Sequence, residues 1–186
     1  EAGKVSFKEL PNYENPNDDG TDGTYDLIVK ISNQNLALDV NNSVIVVLDD
    51  VNEKPDITSM TNFVVNENNK TVGFITATDE DFNDTQTYSL DITQGDSDLF
   101  DLNATTGALT FKANPNYESP IDANQDNNYT VTVIVNDKFD LNDSAIIMVT
   151  VKDVNEKPTI NPVSVSYNES NVTVDFNVTD PDANDA

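Results

Sequence analysis

The sequence contains no cysteine, histidine or tryptophan among its 186 residues. Without cysteine no disulfide can stabilise the fold, and without cysteine or histidine the soft ligands that zinc and copper prefer are missing. Cationic residues are scarce, since nine Lys and Arg stand against 34 Asp and Glu, giving a net charge of −25. Because this charge repels phosphates, nucleic acid and anionic membrane surfaces are excluded as partners. No stretch approaches the ~20 apolar residues needed for direct insertion across a bilayer.

What the sequence does contain is an internal repeat. Residues 3–14 resemble residues 107–118, and the hexapeptide Asp-Val-Asn-Glu-Lys-Pro occurs at 50–55 and again at 153–158. A nearly constant offset of about 103 residues indicates tandem duplication. The period predicts the C-terminal half of one repeat at 1–53, a complete repeat at 54–156 and the N-terminal part of a third at 157–186. We therefore expect the chain to be an excerpt of a longer secreted array.

The complete repeat is predicted to be all β. Apolar Tyr129, Val131 and Val133 alternate with Thr130 and Thr132, which is typical of a half-buried antiparallel strand. Short β-rich runs separated by Asn, Asp, Gly and Pro predict tandem Greek-key β-sandwich domains. The predicted strands are 62–65, 72–78, 85–91, 100–102, 109–112, 129–136 and 145–151.

The repeated hexapeptide favours a linker that also carries cation ligands. Three side chains that carry ligand oxygens fall within four positions, at Asp153, Asn155 and Glu156. Pro158 has no N–H to donate to a sheet ladder, so the stretch is not typical of a strand. Such oxygens are the ligands of hard cations, and calcium takes about six to eight of them. Bound cations would also offset the large uncompensated negative charge. The alternative is a solvated acidic turn, which remains open for each copy taken singly.

Several short acidic motifs accompany the linker at loop or strand-end positions of the repeat. In chain order they are Asn66-Glu67, Asp79-Glu80-Asp81, Asn116-Tyr117-Glu118, Asn136-Asp137 and Asp153-Val154-Asn155-Glu156. This set, in this order and over this period, resembles the cadherin repeat along essentially the whole chain. It is most similar to cadherin-like arrays of bacterial surface proteins. The resemblance implies immunoglobulin-like, seven-strand sandwich domains.

The resemblance also implies calcium as the cofactor, bound between successive domains. In cadherins the ligands come from the end of one domain, from the linker and from the next domain. Carried over to this sequence, the first junction would use Glu14, Asp50, Asn52, Glu53, Asp79, Asp81 and Asp137. The second junction would use Glu67, Glu118, Asp153, Asn155, Glu156, Asp180 and Asp182. We expect the interdomain angle to be loose without calcium and fixed with it.

The expected function is extracellular or cell-surface adhesion, or a rigid spacer, with no enzymatic activity. Paired carboxylates also occur in glycosidases, but here they lie at sheet ends and linkers. The alternatives are a structural subunit of an extracellular filament and a carbohydrate-binding module, although the lack of Trp disfavours the latter. Expected partners are other repeats of the array or neighbouring copies, and a cell-surface protein or glycan. Sequons such as Asn69 and Asn103 would be N-glycosylated if the source performs that modification.

A further acidic stretch lies just before the strand that begins near Tyr129. Asp122, Asn124 and Asp126 have the spacing that opens a calcium loop, but Asn127 replaces the glycine that an EF-hand requires. The sequence leaves two interpretations open here, a local ion and a solvated turn.

Overall fold

A computed structural model describes residues 3–33, 38–161 and 177–182 of the chain. Within these ranges the secondary structure consists of β-strands and one short 3₁₀ helix, Ser97–Leu99. The all-β prediction is therefore confirmed. Residues 162–176 and 183–186 of the predicted third repeat lie outside the described part.

The strands fall into three groups along the chain. In order they are β1 Thr24–Asn33, β2 Leu38–Val47, β3 Asp56–Ile57, β4 Asn62–Asn66, β5 Thr71–Phe74, β6 Ala77–Thr78, β7 Thr87–Gly95, β8 Phe100–Leu102, β9 Ala108–Phe111, β10 Asn128–Asn136, β11 Asn142–Lys152, β12 Thr159–Asn161 and β13 Asn177–Thr179.

Two sheets face each other in the central repeat. One has the order β4-β11-β10-β7, with β4 parallel to β11 and the other pairs antiparallel. The other has the order β5-β9-β8, with antiparallel pairs throughout. Side chains on alternate positions of β10 are buried between them, as the period-two pattern predicts. The result is a β-sandwich.

Aromatic rings occupy the centre of this sandwich. Phe100 and Phe111 have ring centroids 4.3 Å apart, and Tyr129 meets both rings edge-on at 6.0 and 5.1 Å. Aromatic pairs in these arrangements contribute about 0.5–1.5 kcal/mol beyond the area they bury. The Tyr129 hydroxyl accepts a hydrogen bond from the Ile121 backbone N–H at 3.4 Å. The core therefore also fixes the loop that precedes β10.

The prediction of one strand over 72–78 is wrong, because two strands occur there. The Ile75 N–H donates to the Gly107 carbonyl at 2.8 Å, and the Thr76 carbonyl accepts from Thr58 at 2.9 Å. The chain therefore leaves the β5-β9-β8 sheet at Ile75, and β6 pairs with β3 instead. The short strand β3 was not predicted, because two residues give too little pattern.

Strand pairings recur at the spacing of the sequence repeat. Tyr25 lies opposite Val46 in the β1–β2 hairpin, as Tyr129 lies opposite Val149 in β10–β11. The β12–β13 pair likewise corresponds to β3–β6. The paired Tyr and Val are 21 residues apart in the first hairpin and 20 apart in the second, so the repeat offset falls from 104 to 103 within this hairpin.

The acidic stretch before β10 forms a turn organised by one aspartate. The Asp122 carboxylate accepts backbone N–H groups of Asp126 at 2.8 Å and Asn127 at 3.3 Å. Asp18 does the same in the first repeat, where Asp22 and Gly23 donate at 3.1 Å. Such side-chain-to-backbone bonds explain the turn without an ion.

Candidate metal centres at the two linkers

Three separate segments bring carboxylates together at the first linker. Glu14 lies before β1, Asp50 follows β2, and Asp81 follows β6. These residues each offer a carboxylate oxygen, and the three oxygens lie within 4.8 Å of one another. Two ligands of one calcium ion, each roughly 2.4 Å from it, can be no farther apart than this. The geometry therefore suits a shared cation.

A second carboxylate group adjoins the first and shares Asp81 with it. Asp79, Asp81 and Asp84 offer oxygens that also lie within 4.8 Å of one another. Asp84 was not among the predicted ligands. The signal for it is a third aspartate shortly after the Asp-x-Asp motif, reached through Asn83, whose φ is +68°. Two neighbouring cation positions bridged by Asp81 are consistent with this arrangement.

Hydrogen bonds join the remaining predicted ligands of the first linker to this cluster. The Asn52 side-chain amide donates to Asp137 Oδ2 at 2.6 Å and to the Glu53 carbonyl at 2.9 Å. The Glu53 N–H donates to Asp81 Oδ2 at 2.9 Å. Asp137 Oδ1 accepts the N–H groups of Phe139 and Leu141, both at 2.8 Å. The structure thus brings the seven residues predicted for this junction into one region.

The second linker has a four-carboxylate group built in the same way. Glu67, Glu118, Asp153 and Asp182 each place an oxygen within 4.8 Å of the others. The buried Glu67 carboxylate also accepts N–H groups from Tyr117 at 3.0 Å and Val154 at 2.9 Å. It is therefore held by the loop before β10 and by the linker at once.

The other predicted ligands of the second linker lie beside this group. Asp182 Oδ2 accepts the backbone N–H of Glu156 and, at 3.3 Å, the side-chain amide of Asn155. Asp180 Oδ1 accepts the Asp182 N–H at 3.2 Å, as Asp79 accepts the Asp81 N–H at 3.1 Å. The two linkers therefore share a local design.

Buried oxygen atoms without hydrogen-bond partners test whether these residues suit a cation. Burying a polar atom without a partner is unfavourable, and a few such atoms per domain is normal. Here most of those found in the described ranges lie at the two linkers. They are Asn52 Oδ1, Glu53 Oε2, Asp79 Oδ2 and Asp84 Oδ2 at the first linker, and Glu156 Oε2 and Asp182 Oδ1 at the second. All are oxygens of the kind that calcium prefers, so the residues fit a hard divalent cation.

Burial and mutual repulsion raise the pKa values of several of these carboxyl groups. Burial raises the pKa of Glu14, Glu53 and Asp79, and neighbouring carboxylates, Asp81 among them, raise it further. Burial and the nearby Glu67 also raise the pKa of Glu118 and Glu156. These groups resist ionisation when no cation offsets their charges.

Asp137 behaves in the opposite way. Burial alone would raise its pKa, but hydrogen bonds from Asn52, Phe139 and Leu141 outweigh burial, so the pKa of Asp137 is lowered. Asp137 is therefore already stabilised as a carboxylate, whereas burial and neighbouring carboxylates dominate at Glu14, Glu53 and Asp79. A bound cation would therefore stabilise the ionised carboxylates of Glu14, Glu53 and Asp79 more than that of Asp137.

Comparison with known proteins gives one consistent result. The sequence model of the Cadherin domain family matches residues 61–152. Drosophila N-cadherin domains EC1-4 align at 19% identity with a TM-score of 0.55, over 80% of this chain and 37% of that one. Protocadherin gamma B2 domains 3-6 align at 18% identity with a TM-score of 0.55, over 83% of this chain and 37% of that one. Protocadherin gamma B7 domains 1-4 align at 20% identity with a TM-score of 0.55, over 93% of this chain and 43% of that one.

These solved structures establish the fold that the chain shares with them. The chain spans only 37% to 43% of the length of these three structures. No curated protein sequence matches the chain. Within the described residues, no helix is long and apolar enough to cross a membrane.

Proposed function

Because residues 61–152 of this chain are a cadherin domain, we propose that the chain is a calcium-binding extracellular repeat module that acts in cell-surface adhesion or as a rigid spacer. Cadherin domains are adhesion modules rather than enzymes. The observation that carries the proposal is the convergence of carboxylates from three segments at the first linker and from four at the second, with buried oxygens that lack hydrogen-bond partners.

The proposed role of the linkers follows from the positions of their ligands. Glu14 precedes β1, Asp50 opens the first linker, and Asp81 belongs to the following repeat. When these three residues hold one ion in common, the two repeats and the linker are joined at one point. The ion supplies positive charge that offsets carboxylate repulsion, so binding and linker ordering occur together.

The repeat boundaries belong to the same proposal. We assign residues 1–53, 54–156 and 157–186 to successive cadherin-like repeats, supported by the recurring strand pairings. Other repeats of the same array, or neighbouring copies of it, are the proposed partners. An array with fixed interdomain angles would hold an adhesive surface at a defined distance from its attachment point.

The experiment combines calcium calorimetry with small-angle X-ray scattering on the full chain. We expect calcium to bind at both linkers, and the scattering curve to show a better-defined interdomain arrangement with calcium than with a chelator. Asp153→Ala should weaken binding at the second linker without unfolding the central sandwich. Asp101→Ala removes the same charge from an exposed position on β8 and should change neither measurement. Identical scattering with calcium and with chelator would contradict the proposed rigidification.

A further inference from the structure

A lysine ammonium lies beside the carboxylate group that Asp84 joins. Lys138 Nζ is 3.7 Å from Asp84 Oδ2. The Asp84 side chain is 0% exposed, while that of Lys138 is 44% exposed. Asp84 Oδ1 accepts backbone N–H groups from Thr85 at 2.7 Å and from Lys138 at 3.3 Å. Asp84 is therefore fixed in place by its first oxygen.

The second oxygen of Asp84 is the unusual one. Because 3.7 Å is too long for a hydrogen bond, Oδ2 has no hydrogen-bond partner among the described atoms. A buried carboxylate oxygen needs a strong partner to offset its lost hydration. Asp84 also offers a carboxylate oxygen within 4.8 Å of those of Asp79 and Asp81. The group thus contains a buried oxygen whose nearest positive charge is a loosely placed ammonium.

The position of Lys138 is also supported by an aromatic ring. Its Nζ lies 4.8 Å from the centroid of the Phe139 ring, within the range of a cation–π contact. The adjacent Asp137 also feels this positive charge, which contributes to lowering its pKa. Lys138 is one of only nine cationic residues in a chain with 34 acidic ones. Its ammonium therefore supplies a scarce positive charge where carboxylates crowd together.

We propose that Asp84 is a ligand of the cation bound by Asp79 and Asp81, and that Lys138 is an intramolecular competitor for that position. In the absence of a divalent cation, the ammonium partly neutralises the group; a divalent cation takes its place, and the half-exposed lysine side chain moves towards solvent. Lys138 would then set the calcium affinity of the first linker. This inference deepens the proposed function and rests on it.

The test compares three variants of the full chain by calcium calorimetry and by luminescence of Tb³⁺ used as a calcium substitute. Lys138→Met removes the ammonium and keeps an unbranched side chain, so calcium should bind the first linker about three- to tenfold more tightly, given one charge removed about 5 Å from a divalent ion in salt. Asp84→Asn should weaken binding there about tenfold. Lys112→Met is the matched control, since it removes the same charge from a lysine that donates to the Asp98 carbonyl. It should leave the calcium affinity unchanged.

A second measurement separates competition from a merely structural role. In chelator, Lys138→Met should lower the melting temperature, because the ammonium no longer offsets the carboxylates, even though the same variant binds calcium more tightly. Equal calcium affinity of Lys138→Met and Lys112→Met would overturn the competitor role. Wild-type affinity in Asp84→Asn would overturn the ligand role. Absence of calcium binding by the unaltered chain would overturn the proposed function itself, and this inference with it.

Discussion

Asp81→Asn tests whether the two carboxylate groups at the first linker share a ligand. Asp81 belongs both to the group with Glu14 and Asp50 and to the group with Asp79 and Asp84. If each group binds one cation, loss of the Asp81 charge should weaken two binding events. Glu14→Gln should weaken only one of them, and Asp79→Asn should weaken only the other.

The size of the effect follows from the charge and the ligand distance. At roughly 2.4 Å, a unit charge and a divalent ion interact by about 3.5 kcal/mol in a water-like dielectric. Asparagine retains a ligand oxygen, so part of this attraction remains. We expect a loss of about 1.4 kcal/mol at each position, which is about a tenfold change in affinity per ion. The retained oxygen can still accept the Glu53 N–H, so the linker should stay attached.

Isothermal titration calorimetry on the full chain measures this pattern. Asp81→Asn should weaken two calcium-binding steps, whereas each of the other two variants should weaken a single step. Asp101→Ala, on the exposed side of β8, controls for the general loss of negative charge. If Asp81→Asn loses no more affinity than Glu14→Gln or Asp79→Asn alone, the two groups do not share a ligand and the reasoning is refuted.

Three further predictions concern stability. In chelator, the melting temperature should rise as pH falls from 7 towards 5, because linker carboxyl groups with raised pKa values hold more protons in the folded chain than in the unfolded one; a flat or opposite trend would contradict this. Gly107→Ala should destabilise the chain by about 2–4 kcal/mol in urea denaturation, because φ is +66° and a Cβ would lie 2.1 Å from the Ile75 carbonyl oxygen. Gly23 has a similar φ of +75°, but an added Cβ there would meet nothing within 4 Å, so Gly23→Ala should lower the stability by only about 1 kcal/mol. Equal losses in the two variants would exclude the clash at Gly107. Phe100→Ala, at a 1% exposed position, should lose about 3–5 kcal/mol, whereas Phe74→Ala, at 61%, should lose under about 0.5; similar values would contradict the assigned core.

The central sandwich could be predicted because its strands carry a strong local pattern. In β10 the alternation around Val131 and Val133 specifies both the strand and its buried face. Phe100–Leu102 was predicted with the bounds it has in the structure. The acidic residues of the two candidate metal centres could be singled out for another reason, since the repeat places the same acidic motifs at both linkers. In this part of the chain, local sequence and tertiary structure agree.

Features set by distant contacts could not be predicted. The strand over 72–78 divides because Ile75 bonds Gly107 whereas the next residue, Thr76, bonds Thr58, and both partners are remote in sequence. The buried Asp84 side chain contacts the backbone N–H and the ammonium of Lys138, which is 54 residues away, and the sequence around Asp84 gives no sign of these contacts. The turn at Asp122 resembled a calcium loop, since aspartates that accept backbone N–H groups and aspartates that bind calcium occur in similar sequences. In the first two cases a tertiary contact decides between local alternatives, and in the third the local hydrogen bonds of Asp122 do.

The hydrogen bonds at the first linker indicate which side of the junction a cation would have to secure. The Glu53 N–H bonds Asp81, and Lys54 pairs with Asp143 at 2.9 Å. Asp143 also accepts the Ile57 N–H at 3.2 Å, so residues 53–57 are attached to the following repeat by protein contacts alone. Glu14 and Asp50, by contrast, meet that repeat mainly as carboxylates facing another carboxylate, an arrangement that repels without a counter-ion. The proposed calcium would therefore act on the preceding repeat, fastening it to a half-site that is already formed.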